Sequence, residues 1–152
     1  MTEKDDFMKI RRIENGLVID HLPPGKALKI LEILGVGEEF GGEVSVAMNV
    51  PSSHYGRKDV VKLEGRNMDP RQINRIALVA PEATVNVVKN YEVVDKHVVQ
   101  VPQVLESVVA CPNANCITTI EGRPKLLLDQ KTPLLLRCAY CEKVYAENEL
   151  KY

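Results

Sequence analysis

Neither sign of charge dominates this chain of 152 residues: 20 Lys and Arg stand against 21 Asp and Glu, a formal net charge of -1. Such a balance argues against a protein that grips nucleic acid or an anionic membrane by bulk charge. No apolar run approaches the roughly 20 residues that a membrane-spanning helix needs. The opening Met1-Thr-Glu-Lys-Asp-Asp is polar and acidic with no apolar stretch behind it, unlike a secretory signal. Hydrophobic residues at 45% and charged residues at 27% suit a globular fold rather than a disordered chain. A cytoplasmic protein is expected. The common catalytic signatures are missing too. There is no Gly-x4-Gly-Lys-Ser/Thr or Gly-x-Gly-x-x-Gly phosphate loop, no Gly-x-Ser-x-Gly and no His-Glu-x-x-His. His21, His54 and His97 lie far apart. Asp20 and His21 could pair, but neighbours on a regular strand point to opposite faces.

Cysteine is absent from the first 110 residues, and all four cysteines fall in the last 42. Just upstream, Pro102 sits between Gln100 and Gln103, which suits an extended connector better than a continuing helix. The chain is therefore read as two units, 1–102 and 103–152.

The first unit alternates strand and helix signals. Ile10 to Leu22 is β-rich, with Asn15-Gly16 as a turn or bulge. Between Gly25 and Gly35, apolar residues at 27, 30, 31 and 34 give helical spacing, and Gly35 is a natural stop. Strands are expected over 43–50 and 58–63. Asp69-Pro70-Arg71-Gln72 reads as an N-cap, a first-turn proline and a third-position Gln, and Ile73, Ile76, Ala77 and Ala80 form the helical face behind it. Strands follow over 83–88 and 91–94. The order β-α-β-β-α-β is the ferredoxin-like split βαβ pattern, an antiparallel sheet with two helices. That pattern hosts many functions and decides none. The second unit reads as short β-like runs at 105–110, 117–121, 125–128, 134–137 and 143–145. The fold class is thus α+β, a ferredoxin-like unit followed by a small all-β, zinc-ribbon-like unit.

A sheet so small needs an added staple. Cys111-x4-Cys116 and Cys138-x2-Cys141 are two close pairs 21 residues apart, which can converge as a tetrahedral thiolate site. Zinc takes four such ligands at about 2.3 Å and leaves no open position, so the ion would be structural, one per chain. Turn residues inside each pair can aim backbone N–H groups at the sulfurs, with Arg137 and Lys143 flanking the second pair. Two disulfides are the plain alternative, disfavoured by a reducing compartment. A redox-active Cys-x-x-Cys leaves the other pair without a role. Leu126-Leu127-Leu128 and Leu134-Leu135-Leu136 exceed what so small a core can cover and suggest a docking surface.

The motifs Gly16-Leu-Val-Ile-Asp-His-Leu-Pro23, Gly56-Arg-Lys-Asp59, Ala80-Pro-Glu-Ala-Thr-Val-Asn86, Asn90-Tyr-Glu-Val-Val94, Cys111-Pro-Asn-Ala-Asn-Cys116 and Cys138-Ala-Tyr-Cys-Glu142 follow one another in this order. Together, over about residues 9 to 146, they resemble the regulatory chain of aspartate carbamoyltransferase. The resemblance implies a non-catalytic subunit of pyrimidine biosynthesis with an N-terminal allosteric unit for nucleoside triphosphates and a C-terminal zinc unit. It implies three regulatory dimers bridging two catalytic trimers, with the zinc unit docked on the catalytic chain. It also implies an effector site at Ile13, Val18, Asp20, His21, Val60, Lys62, Asn86, Val88, Tyr91, Val93 and Lys96. Asp20 would accept from ribose hydroxyls, Lys62 would donate to ribose or base, and His21 and Lys96 would neutralise phosphate. Arg11 and Arg12 form a basic pair that the resemblance does not place.

A reading from another class is a zinc-ribbon module that binds nucleic acid. It needs a basic stripe or exposed aromatics, whereas residues 105–152 carry six charges of each sign and the tyrosines Tyr140, Tyr145 and Tyr152. A small zinc enzyme is excluded by the closed ligand set.

Overall fold

The computed structural model describes residues 12–53, 56–67 and 69–152. Arg11 and the N-terminal segment before it lie outside the described residues. Strand β1 (Gly16–Leu22) leads into helix α1 (Ala27–Ile33), then strands β2 (Val44–Pro51) and β3 (Arg57–Glu64), helix α2 (Pro70–Val79), and strands β4 (Thr84–Lys89) and β5 (Glu92–Val98). The five strands make one antiparallel sheet in the order β2-β3-β1-β4-β5. This is the expected split βαβ order with one strand added at the edge. Alternation places Leu17, Ile19, Val61, Leu63 and Val85 in a shared core with Ala27, Ile30, Ile33, Ile76, Ala77 and Ala80 of the helical segments.

Local chemistry explains the element ends. The Asp69 carboxylate accepts from Arg71 N–H at 3.0 Å and Pro70 occupies the first turn of α2. Gln72 does not close a capping box; its Oε1 accepts from the Arg66 guanidinium at 2.9 Å, which also holds the Leu34 carbonyl. Strand β1 starts at Gly16, and residues 12–15, expected as part of it, lie outside it. Gly16 has φ of 150°, and a Cβ there would collide with the Leu63 carbonyl.

Residues beyond 103 form a second antiparallel sheet, β6 (Val104–Glu106), β7 (Lys125–Gln130), β8 (Leu135–Cys138) and β9 (Val144–Ala146), in sequential order. One expectation is corrected. The β-like run at 117–121 is helix α3 (Ile117–Glu121). Its Ile and Thr favour strands, but the Cys116 turn overrides them: Thr119 N–H donates to the Cys116 carbonyl, and left-handed Gly122 ends the segment. The leucine triplets are corrected too. Leu126, Leu134 and Leu136 are buried and the others half-buried, because alternate residues of β7 and β8 supply the core. The apolar side chains exposed in this unit include Ile117, Ile120 and Tyr140.

The two sheets are joined through α2. Leu78 belongs to the second core while Ile76, Ala77 and Val79 belong to the first, and Val101 and Tyr152 pack against both. The Arg75 guanidinium donates to the Val108 carbonyl at 2.6 Å. Among the described residues, no helix is long and apolar enough to cross a membrane.

Candidate functional site

The four cysteines converge. Their Sγ atoms all lie within 4.8 Å of one another, with Cys111 to Cys141 and Cys116 to Cys138 each 3.7 Å apart. A disulfide needs about 2.05 Å, and all four thiols are free. Four sulfurs at about 2.3 Å from a shared ion stand about 3.8 Å from one another on the edges of a tetrahedron. The close contacts pair one sulfur of each turn with one of the other. The donor set and its spacing fit a metal ion, held by Cys111, Cys116, Cys138 and Cys141.

The electrostatics of the four thiols are uneven. Burial pushes Cys111 up to about 12, opposed by the Tyr145 hydroxyl and the backbone N–H of Asn113. Burial also acts on Cys141, but the Lys143 backbone N–H and the Asn113 side chain outweigh it and bring that thiol down to about 6. Cys116 is lowered, first by the Thr118 hydroxyl 3.0 Å away. The Tyr145 hydroxyl is held well above its ordinary value by burial and by the neighbouring sulfurs. Backbone N–H groups thus reach the sulfurs as the turns allow. The flanking cations do otherwise. Arg137 donates to Asp129 at 3.3 Å and to the Glu142 carbonyl at 3.1 Å, and Lys143 serves Cys141 through its backbone.

In the first sheet, antiparallel registers align Lys62 with Val18, Val18 with Asn86, and Asn86 with Lys96. These four residues form one row across β3, β1, β4 and β5, on the face opposite the helices. Asp20 lies on the same face, and its carboxylate takes the Lys58 ammonium at 2.9 Å. The strand irregularity between Ile19 and Leu22 puts His21 at φ of 61°, with its Nδ1 3.1 Å from Thr84 Oγ1. Since Thr84 pairs with Asp20, the irregularity brings Asp20 and His21 to one face, contrary to simple alternation. Asn86 Nδ2 donates to the Val18 carbonyl at 3.3 Å.

The remaining sequence candidates are distributed around this row. Val60 and Val88 are buried, and Val88 pairs with Gly16 and with the exposed Val93. Ile13 is buried just before β1, where the Glu14 carbonyl accepts from Tyr91 N–H at 2.9 Å. Tyr91 is exposed and follows Asn90 in a two-residue hairpin turn with positive φ at both positions. Arg12 donates to the Tyr91 carbonyl at 3.2 Å, which gives that arginine a place.

Sequence reasoning missed four contributors. Lys58 stands in the sequence only as part of the Gly56-Arg-Lys-Asp59 motif, with no role of its own. Thr118 and Tyr145 carry no spacing signal. Asp59 is the fourth: wholly buried, it accepts from Gly25 N–H at 2.9 Å, Ala27 N–H at 3.0 Å and Asn49 N–H at 2.8 Å. It caps α1 from a different strand.

Comparison with known proteins bears on both regions. Residues 8–100 match the family model for the aspartate carbamoyltransferase regulatory chain, allosteric domain, and residues 103–151 match the model for its metal binding domain. The chain belongs to this regulatory-chain family. It is 50% identical over 145 residues to the aspartate carbamoyltransferase regulatory chain of Pyrococcus furiosus, covering 94% of this chain and 95% of that one. The regulatory chain of Hyperthermus butylicus is 43% identical over 152 residues, covering 97% and 94%. That of Methanothrix thermoacetophila is 44% identical over 154 residues, covering 100% and 99%. The family's metal binding domain spans all four converging cysteines. Membership makes the chain a regulatory, non-catalytic subunit of aspartate carbamoyltransferase.

Proposed function

We propose that residues 1–102 are a nucleotide-sensing allosteric unit and residues 103–152 a zinc unit that docks on the catalytic chain of aspartate carbamoyltransferase. The observation carrying the first half is the Lys62-Val18-Asn86-Lys96 row with Asp20 and Lys58 beside it. It sets cations and a carboxylate on one open sheet face, which suits a nucleoside triphosphate without any glycine loop. Lys96 and His21 neutralise phosphate oxygens, Asp20 accepts from ribose hydroxyls, and Lys62 donates to ribose or base. Val18, Val60, Asn86, Val88 and Val93 line the bed for base and sugar, with Ile13 and Tyr91 at its end. Lys58 joins the site as the cation that orients Asp20.

Zinc is the ion that best suits a closed, buried four-thiolate set in a chain without disulfides. It fixes the shape of the second sheet, and Ile117, Ile120 and Tyr140 then offer exposed apolar side chains to the catalytic chain. In this reading three regulatory dimers bridge two catalytic trimers in the cytoplasm, in the service of pyrimidine biosynthesis. Nucleotide binding shifts the quaternary equilibrium by roughly 1–3 kcal/mol, the usual size of such coupling.

Calorimetry on point variants tests the sensing half. Lys96→Ala should weaken a nucleoside triphosphate more than its nucleoside, because it removes a phosphate partner, and Lys62→Ala should weaken both. Unchanged triphosphate affinity in Lys96→Ala would count against the assignment. For the docking half, the assembled complex is sized before and after treatment with a mercurial and a chelator. Catalytic trimer should be released, active and insensitive to nucleotide; trimer that stays bound to metal-free chain would refute it.

A further inference from the structure

Four thiolates around one divalent cation leave a centre two charges negative, and Cys111, Cys116 and Cys138 are almost wholly shut off from water. Charge at that depth is tolerable only where N–H and O–H groups point at it. The backbone donors are local, each from the turn that carries the sulfur it serves: Asn113 for Cys111, Thr118 for Cys116 and Lys143 for Cys141. The Thr118 hydroxyl is local as well, 3.0 Å from Cys116 Sγ. Tyr145 differs. It comes from β9, and its hydroxyl stands 3.5 Å from Cys111 Sγ and 3.8 Å from Cys141 Sγ, one sulfur from each turn.

We propose that Tyr145 is a positioning residue of the metal centre: by donating to the thiolates of both turns, its hydroxyl fixes the separation of Cys111 and Cys141 and slows metal release. The proposal rests on the metal reading given above. The ring is buried in the second core, and Tyr145 pairs with Leu136 across β9 and β8, so the sheet itself sets where the hydroxyl lies. Without it, the two sulfurs lose the one hydroxyl they share and keep only Asn113, whose backbone N–H serves Cys111 and whose side chain serves Cys141. Removing an outer-shell partner of this kind typically lowers metal affinity by about 10–100-fold. Tyr145→Phe keeps the ring and its packing, which separates the hydrogen bond from the core.

The test uses the full chain, with zinc retention measured against a chromogenic chelator and cobalt(II) as the optical probe. Tyr145→Phe should surrender zinc about 10–100-fold more readily than the native chain. Its sulfur-to-cobalt charge-transfer band should move to lower energy, since a thiolate relieved of a hydrogen bond gives up an electron more easily. Retention within a factor of about two together with an unmoved band would overturn the proposal. Should the variant not fold, the native chain loaded with NMR-active cadmium decides. A scalar coupling between the Tyr145 hydroxyl proton and the metal is expected, and its absence from a spectrum that shows the Asn113 and Lys143 N–H couplings would overturn the proposal. A native chain that binds neither zinc nor cobalt would overturn the metal reading with it, and is told apart because the native protein itself fails.

Discussion

Replacing Asp59 should destabilise the first sheet far more than its short side chain suggests. Its Oδ2 accepts from Gly25 and Ala27 N–H, its Oδ1 from Asn49 N–H, and no water reaches the group. Asp59→Asn keeps the shape but turns one oxygen into a donor. With its amide oxygen at the Oδ2 position it retains two bonds, now neutral, and sets an NH2 against the Asn49 N–H. A buried donor left unpaired costs about 1–3 kcal/mol, and charge-assisted bonds of about 1.5–3 kcal/mol fall to about 0.5–1.5. Two bonds each weakened by about 1–1.5 kcal/mol and one unpaired donor together give a loss of about 3–6 kcal/mol. For a chain near 150 residues each kcal/mol lowers the melting temperature by about 2–4 °C, so the fall should be about 6–24 °C. Asp59→Ala leaves all three donors unpaired and should lose more. Calorimetry gives the melting temperature, and amide exchange at residues 25, 27 and 49 locates the damage. A loss below about 1 kcal/mol, or unchanged protection of those three amides, would refute the claim that Asp59 joins the start of α1 to β2.

Cys138→Ser should abolish metal binding and unfold the second sheet, while the amides of β1, β3 and β4 stay protected in hydrogen exchange; structural zinc is typically worth about 10–16 kcal/mol, more than so small a core replaces. Metal uptake should strengthen as pH rises, because the Cys111 thiol, pushed up to about 12, must give up a proton that the bound state no longer holds. A chelator titration across pH 6 to 8, about the range in which metal-site protons compete, checks this by its slope, and a flat profile would contradict it. Ile120→Asp, at a side chain 80% exposed, should weaken association with the catalytic chain while metal content and melting temperature stay near native; sizing of the mixed complex reads the outcome.

How much was legible in the sequence depended on how local the cause was. The cysteine spacing and the Asp69-Pro70 start of α2 are local signals, and both appear in the structure as geometry. The parity of Val60 and Lys62 follows from strand alternation, which needs no partner. Asp59 was invisible because its donors come from residues 10 to 34 positions away, and a carboxylate inside a strand looks like an edge charge. Helix α3 escaped because β-branched residues were read by propensity, whereas the Cys116 turn sets the backbone there. His21 was misjudged for a related reason, since the strand irregularity at 19–22 shifts the alternation on which the argument relied. Tyr145 could be counted as an aromatic, but only the pairing of β9 with β8 shows which sulfurs it reaches.

Helix α2 presents Leu78 to one sheet and Ile76, Ala77 and Val79 to the other, and Arg75 adds a hydrogen bond to Val108. Close-packed interiors do not yield smoothly; they step between arrangements. The two sheets therefore cannot swing freely about the extended connector near Pro102, as beads on a string would. To change their angle, the second sheet must climb over Leu78 as a ratchet tooth passes its pawl, or α2 must roll within its own core. The joint is a detent rather than a hinge. Trimming Leu78 to Ala would remove that tooth, and the second sheet should then turn against the first with less resistance.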